Sequence, residues 1–352
     1  MLNYSVAELR MITDKETYEV FLSTSLKKSH STFFDKFTTC LNENNIKWRF
    51  IGNTADIWCR DYMPIQIEVD EFVQYHYYPD YLTQRESYKK YITKPEKACK
   101  SIYLSPCKKT NLVIDGGNVV KGDDFVIMTE KVYHENPNYN PTEIHTKLEN
   151  LFQCKVIMLP WDKCDKYGHA DGIVRPIDST NVLLTNYTDY DKDFADEVKR
   201  RLSKHMHVEM LHYDVKKPDK RNWAYINFLQ VGETIILPAI NIEEDDQALK
   251  QIQGYYPSCD IHQLNCEEII KQGGALNCIT WNVHPSDEIK GFTEEDRKRF
   301  DELINRFESE EEATKAGLFS GFTESEVDFM GDINLRILGE KYPDFSWYYM
   351  ID

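Results

Sequence analysis

Two kinds of apolar pattern take turns along this chain. Residues 18–23 (YEVFLS) form a short apolar run that predicts a buried strand, and from 29 to 41 the residues Phe33, Phe34, Phe37, Cys40 and Leu41 recur at helical spacing. Residues 47–51 predict a second strand, 56–58 lead into a loop, and a third strand begins near Pro64 with Ile65, Ile67 and Val69. A similar order returns downstream. A short strand at 112–114 is broken by Gly116-Gly117, then a strand at 125–128, a helix at 141–152 and a strand at 155–159 follow. Residues 173–185 are strand-rich, 193–205 predict a helix and 208–211 a strand. Residues 224–229 and 233–237 predict paired strands, and 245–253 a helix. Strands alternating with helices indicate an α/β fold. Five such units over the first 285 residues would average about 57 residues each, a length compatible with structural repeats.

From residue 286 the texture changes. Residues 286–352 hold eighteen acidic and eight basic residues, ten of the seventeen net negative charges of the 352-residue chain. A charged helix is predicted over 293–312, opened by Thr293 with Asp296 three residues on and carrying a narrow stripe of Phe300, Leu303, Ile304 and Phe307. The final FSWYYMID is apolar enough to require a docking surface. The expected organisation is a main domain, 1–285, with an acidic, partly helical extension, 286–352.

Charge narrows the function classes. The net charge of −17 disfavours a nucleic-acid binder and favours a cationic small-molecule partner. No run of about 18 apolar residues is present to span a membrane. The N-terminal segment lacks a basic and then apolar leader, so a cytoplasmic location is expected. The nine cysteines form no Cys-x-x-Cys pair and suggest neither a zinc site nor a disulfide framework. His205, His207 and His212 lie in a helix-to-strand connection without cysteine or paired acids in register, and no metal site is predicted there.

Four segments carry the candidate chemistry: Trp58-Cys59-Arg60-Asp61-Tyr62-Met63-Pro64, Asp115-Gly116-Gly117-Asn118, Gly168-His169-Ala170-Asp171, and Gly273-Gly274-Ala275-Leu276-Asn277-Cys278-Ile279-Thr280. Residue by residue, plainer readings stand beside the functional ones. Cys278 reads equally as a core thiol, His169 as a structural histidine, Asp61 as the ion-pair partner of Arg60, and Asp115 as a turn residue. On a strand, His169 and Asp171 would face the same side. Together, a cysteine, a histidine and several acids without a serine motif or phosphate loop suggest thiol chemistry on a cation. A free thiol is only roughly 3% ionised at pH 7, and a nearby cation, the substrate included, would raise that fraction.

In this order the four segments resemble those of the agmatine deiminase and bacterial Porphyromonas-type peptidylarginine deiminase family, within the guanidine-modifying (pentein) superfamily. That family carries Trp-x-Arg-Asp-x-Gly-Pro, an acid before Gly-Gly, Gly-His-x-Asp, and a glycine-rich stretch ending in His-Cys-x-Thr. The segments 136–141, 224–228, 236–238 and 245–248 are similar too, and the resemblance spans about residues 15–284. It departs at Met63 (usually glycine), Asp115 (usually glutamate in agmatine deiminases), Asn277 (commonly histidine) and Trp281-Asn282 (commonly Gln-Gln).

The resemblance implies a five-unit, pseudo-symmetric α/β propeller of ββαβ modules with its site on the central axis. It implies Cys278 as nucleophile, His169 as acid and base, and Asp61 and Asp171 as the carboxylates holding a guanidinium. Asp115, Trp58, Asn118 and Arg60 are expected to bind substrate or support those groups. No cofactor or metal is required, and a homodimer suits the family. The expected reaction is hydrolytic deimination, of agmatine first, with peptidyl- or free-arginine deimination as the alternative. An amidinotransferase and a non-catalytic binding protein on the same scaffold are further readings.

Overall fold

The computed structural model describes residues 11–284, apart from 103, 105 and 107, with isolated positions between 286 and 326. Fifteen strands are described in five three-stranded sheets. In chain order they are β1 (Glu19–Ser23), β2 (Lys47–Ile51), β3 (Ile65–Glu68), β4 (Glu71–His76), β5 (Lys108–Val113), β6 (Val120–Lys121), β7 (Phe125–Thr129), β8 (Lys155–Leu159), β9 (Val174–Pro176), β10 (Asn181–Leu184), β11 (His207–Met210), β12 (Leu229–Val231), β13 (Thr234–Ala239), β14 (Asp260–Asn265) and β15 (Thr280–Val283).

One rule generates every sheet. A central strand pairs antiparallel with the strand before it and parallel with the strand after it, giving β3-β4-β5, β6-β7-β8, β9-β10-β11 and β12-β13-β14. The fifth sheet is β15-β1-β2, in which the last strand takes the place of a missing predecessor, with Glu19 opposite Val283. A parallel pair needs a crossover, and a helix supplies each one: α1 (Ser31–Glu43), α2 (Pro95–Lys100), α3 (Pro141–Phe152), α4 (Lys192–Leu202) and α5 (Glu244–Tyr255). The five-unit arrangement expected from the sequence is therefore present.

The crossover helices form where their sequences supply a start signal and one apolar stripe. In α3, Asn140 caps the Glu143 N–H at 3.0 Å while the Glu143 carboxylate takes the Asn140 N–H at 3.0 Å, Pro141 occupies the first turn, and Gln153 ends the helix in the left-handed region at φ 55°. Its stripe of Ile144, Leu148 and Phe152 is buried. α1 buries Phe33, Phe34, Phe37 and Leu41, and Phe34 stacks on Phe50 with ring centres 5.5 Å apart. Each fully buried side chain of this size contributes about 1.5–3 kcal/mol. The central strands β1, β7 and β13 are apolar on both faces because helices cover one side and neighbouring units the other.

Three sequence expectations are corrected. Residues 224–229 are not one strand. Asn222–Ile226 is a tight 3₁₀ turn closed by the Asn227 N–H on the Ala224 carbonyl, and its apolar residues are buried without ladder bonds; β12 starts only at Leu229. The strand expected at 112–114 begins at Lys108, and its partner β4 was not foreseen because Gln74 interrupts the apolar run from Phe72 to Tyr75. His169 and Asp171 do not share a strand: His169 is extended and precedes a single turn, Ala170–Gly172. Of the helix expected over 293–312, the described positions 298, 299, 302, 303, 305 and 306 are helical, and the apolar 345–352 lie outside the described residues.

Candidate active site

The five links that run from the third strand of one unit to the first strand of the next carry the candidate residues. The link from β2 to β3 bears Trp58–Met63, that from β5 to β6 Asp115–Asn118, that from β8 to β9 His169–Asp171, that from β11 to β12 Asn227, and that from β14 to β15 Asn277 and Cys278. Trp58, Asp61, His169, Asp171, Asn227 and Cys278 line one cavity of about 450 Å³, within the range of small-molecule sites.

Backbone approach fixes the geometry. A Cβ on Gly117 would fall 2.7 Å from both Asp61 Oδ1 and His169 Nδ1, and one on Gly274 would lie 2.3 Å from the Trp58 ring. Gly117 donates its N–H to Asp61 Oδ1 at 3.0 Å. The Asp61 carbonyl accepts the Tyr75 hydroxyl at 2.5 Å, anchoring the turn beneath.

The imidazole of His169 is held between acids. Its Nε2 lies 2.8 Å from Asp115 Oδ2, and Nδ1, on the cavity side, lies 3.6 Å from Asp61 Oδ1. Asp115 therefore reaches the histidine in spite of being one methylene shorter than glutamate. Its carboxylate is shared with Lys131, whose ammonium sits 3.0 Å from Asp115 Oδ2 and 2.7 Å from Glu135 Oε1, with Asp80 Oδ1 at 3.3 Å and no solvent exposure. Burial alone would lower the histidine's pKa, but Asp61 and the bond from Asp115 override it and hold the group up at about 9. Burial pushes Asp61 up to about 7, against the lowering charge of His169. Burial would also raise Asp115, and Lys131 with His169 holds it below the usual range.

Cys278 is buried with its Sγ 3.2 Å from Asn227 Oδ1 and 3.4 Å from Asp171 Oδ2. Burial, then the charges of Asp171 and Asp61, keep its thiol well above the ordinary range. Without a cation beside it Cys278 is thus held as the neutral thiol. Asn277, in the place commonly held by histidine, donates to Asp171 Oδ2 at 2.7 Å and accepts from Arg175 Nη1 at 3.2 Å.

Five of the eight candidate residues stand at this cavity, and Asp115 stands directly behind His169. Arg60 and Asn118 point elsewhere. Arg60 turns away from Asp61, donating Nε to the Asn277 carbonyl at 3.3 Å and Nη2 to Asn282. Asn118 Oδ1 accepts from Thr129 N at 2.9 Å and lies 2.9 Å from Thr129 Oγ1, whose hydroxyl donates to the Gly168 carbonyl at 2.7 Å, so it ties the β6 link to the histidine loop. Sequence reasoning missed Asn227 and Lys131, and with them cavity-lining residues such as Asp162. Asn227 was within reach, because four of the five equivalent links already held a recognised segment. Among the described residues no cluster of His, Cys, Asp and Glu suited to a metal ion occurs.

The chain is similar to proteins already known. A candidate agmatine deiminase of Streptococcus mutans is 25% identical over 221 residues, 52% of this chain and 60% of that protein, so the chain spans about three-fifths of the length of the curated relatives it matches. Solved structures of agmatine deiminases from C. jejuni (TM-score 0.64, 18% identity, 78% of this chain and 96% of that one) and Enterococcus faecalis (TM-score 0.59, 20% identity, 78% and 96%) share the fold. The family model for Porphyromonas-type peptidyl-arginine deiminases matches residues 5–284, and the chain belongs to that family.

Proposed function

We propose that this protein hydrolyses a guanidinium compound through a covalent thiouronium on Cys278, with agmatine as the substrate and N-carbamoylputrescine and ammonia as products. The observation that carries the reading is the joint placement of a buried thiol, an acid-held imidazole and two carboxylates, Asp61 and Asp171, in one aromatic-walled cavity. Planar carboxylates suit the fork of a guanidinium, which keeps its charge at every working pH. Bound between them, the cation cancels the two charges that hold the Cys278 proton in place, and that proton leaves to water. The thiolate attacks the guanidinium carbon and gives a tetrahedral adduct. His169, charged near neutrality, protonates the departing nitrogen, and the C–N bond breaks to leave ammonia and the thiouronium. The now neutral imidazole takes a proton from water, hydroxide adds to the same carbon, and the C–S bond breaks as the adduct's hydroxyl proton leaves to water, returning the thiolate and the neutral ureido product.

The outer part of the cavity supports a substrate with a second positive charge. Asp162, Asp165, Tyr167, Tyr187 and Trp223 line it, and Tyr187 orients the Asp162 carboxylate by a 3.0 Å hydrogen bond. An alkylammonium is stabilised by such acids and aromatic faces. One observation favours the arginine alternative: Lys220 also lines the cavity and would suit an α-carboxylate.

We further propose residues 1–285 as the catalytic unit and 286–352 as an appended segment, in a cytoplasmic enzyme active as a homodimer. Among the described residues no helix is long and apolar enough to cross a membrane. Ammonia release from agmatine, free arginine and a blocked arginine peptide, with Cys278→Ala as control, tests the reading. Turnover of agmatine alone is expected. Turnover of an arginine substrate alone would move the substrate and keep the mechanism, and silence from folded protein on all three would remove the enzymatic reading.

A further inference from the structure

Of the five links that meet at the cavity, the one from β11 to β12 supplies no group to the proposed chemistry, yet it places Asn227 against the sulfur. Asn227 is fully buried, between the 3₁₀ turn Asn222–Ile226 and β12. Its backbone is pinned on both sides. The N–H donates to the Ala224 carbonyl at 3.0 Å, and the carbonyl accepts the Asn277 N–H at 3.1 Å. The next carbonyl, of Phe228, accepts Arg175 Nη2 at 2.9 Å. None of these bonds depends on the side chain of residue 227.

The side chain reaches two other links. Its Oδ1 accepts the N–H of Ala275 at 3.2 Å and that of Cys278 at 3.3 Å, and lies 3.2 Å from Cys278 Sγ. Its Nδ2 donates to the Asp171 carbonyl at 3.3 Å. Backbone N–H groups only donate and a carbonyl only accepts, so these partners decide which end of the amide faces the cysteine. The oxygen accepts the S–H of the thiol and has no proton to offer a thiolate. On ionisation that one contact is given up, and the two bonds to backbone N–H groups remain. The strap 275–278 therefore keeps its place while the sulfur changes charge.

On the reading of Cys278 as nucleophile, we infer that Asn227 is the positioning residue that aims it. The amide oxygen holds the backbone on which the thiol sits, and the amide nitrogen ties that backbone to the link bearing His169 and Asp171. Attack on a guanidinium carbon needs the sulfur in line with it, and a displacement of about 1 Å can cost roughly a hundredfold in rate. The carboxylates that hold the cation in this reading have other supports. Asp61 Oδ1 accepts the Gly117 N–H at 3.0 Å, and Asp171 Oδ2 accepts Asn277 Nδ2 at 2.7 Å. Loss of the Asn227 amide should thus fall on kcat and spare KM.

The test compares Asn227→Ala and Asn227→Ser with Asn227→Asp in the full chain, each checked for folding by circular dichroism. Alanine and serine side chains are too short to reach both N–H groups. On whichever guanidine the native protein turns over, kcat of these two variants should fall about a hundredfold with KM little changed. A protonated carboxyl has the shape of the amide, accepting with one oxygen and donating with the other. Burial pushes Asp61 up to about 7, so a carboxyl at the more enclosed position 227 should keep its proton at about pH 6. There Asn227→Asp should retain kcat within about tenfold of the native value. Labelling of Cys278 by the cationic alkylating agent chloroacetamidine, read in digests at the same pH, should slow in the alanine and serine variants and stay near native in Asn227→Asp. An unchanged kcat in Asn227→Ala or Asn227→Ser, a loss confined to KM, or an Asn227→Asp as impaired as Asn227→Ala would overturn the inference. Labelling needs no turnover, so the two readings fail separately. Native protein silent toward guanidines would remove the enzymatic reading, and equal labelling of native protein and Asn227→Ala would remove the role of Asn227 alone.

Discussion

The charge around Cys278 sets a measurable rule for its reactivity. In the empty cavity the thiol is raised by burial and by the carboxylates of Asp171 and Asp61, so thiolate is scarcer than the roughly 3% of an ordinary cysteine at pH 7. A unit positive charge placed about 4 Å away is worth about 4 kcal/mol at an effective dielectric of 20, or up to about three pKa units. A cationic alkylating agent that occupies the guanidinium position should therefore meet up to about a thousandfold more thiolate than a neutral agent of the same shape meets. Chloroacetamidine and chloroacetamide form such a pair. Cys164 is exposed and lines the outer part of the same cavity, which makes it an internal reference. The assay is the rate of alkylation at each cysteine, read by mass spectrometry of digests. We expect the cationic-to-neutral rate ratio at Cys278 to exceed that at Cys164 at least tenfold, and Asp171→Asn to shrink it. Equal ratios at the two cysteines, or rapid labelling of Cys278 by the neutral reagent, would refute the idea that the substrate's own charge releases the nucleophile.

Other consequences follow from the same geometry. Asp115→Asn removes the anion bonded to His169, so the histidine falls from about 9 and the alkaline limb of the kcat profile should move to lower pH. In the native protein that raised histidine contributes stability fully present below about pH 6.5 and lost as the pH rises through about 9, so the variant should lose stability mainly at and below neutrality, as urea melts across pH would show. Lys131→Met leaves Asp115 and Glu135 buried without their cation and should cost about 3–5 kcal/mol in urea unfolding at neutral pH. That deficit should narrow as the pH falls, because the variant's acids take up protons sooner than the native Asp115 does. Gly117→Ala puts a methyl group 2.7 Å from both Asp61 and His169; circular dichroism should show a folded protein while kcat/KM falls about a hundredfold or more.

The groups gathered at the cavity were legible because each sits beside residues that leave a mark in one dimension. Gly116-Gly117 permits the close approach to Asp61 and His169, Gly273-Gly274 the approach to Tyr167 and Trp58, and both pairs are visible as letters. The support behind them was not. Lys131 follows an apolar strand by two residues, as many surface lysines do, and only the folded chain shows three acids around its ammonium. Arg60 lies next to Asp61 in sequence, yet one residue on a tight turn swings a side chain to another direction, and it bonds the Asn277 carbonyl and the Asn282 side chain instead. Asn118 follows Gly-Gly in the recognised motif and so resembled a binding residue, although its amide is consumed by Thr129. Strands with continuous apolar runs, such as β7 and β8, matched their sequence boundaries closely. β4 was missed because a buried glutamine in its middle hides the run, and that glutamine bonds the Tyr75 carbonyl at 2.9 Å.

The pairing of β15 with β1 joins residues at opposite ends of the fold, Glu19 with Val283. A ribosome adding about 5–20 residues per second releases β1 long before its partner exists, so the first sheet waits, two-stranded, for the others. Cys278 stands two residues before β15 and arrives with the closing strand. The nascent chain consequently lacks this thiol until the links that confine it are nearly all made, and an unfinished copy does not present Cys278 at this site. The same join marks where the chain tolerates rearrangement least. New termini opened in a surface turn such as 178–180 would leave the β15-β1 seam intact, whereas cutting the chain before residue 280 would strip β1 of its antiparallel neighbour.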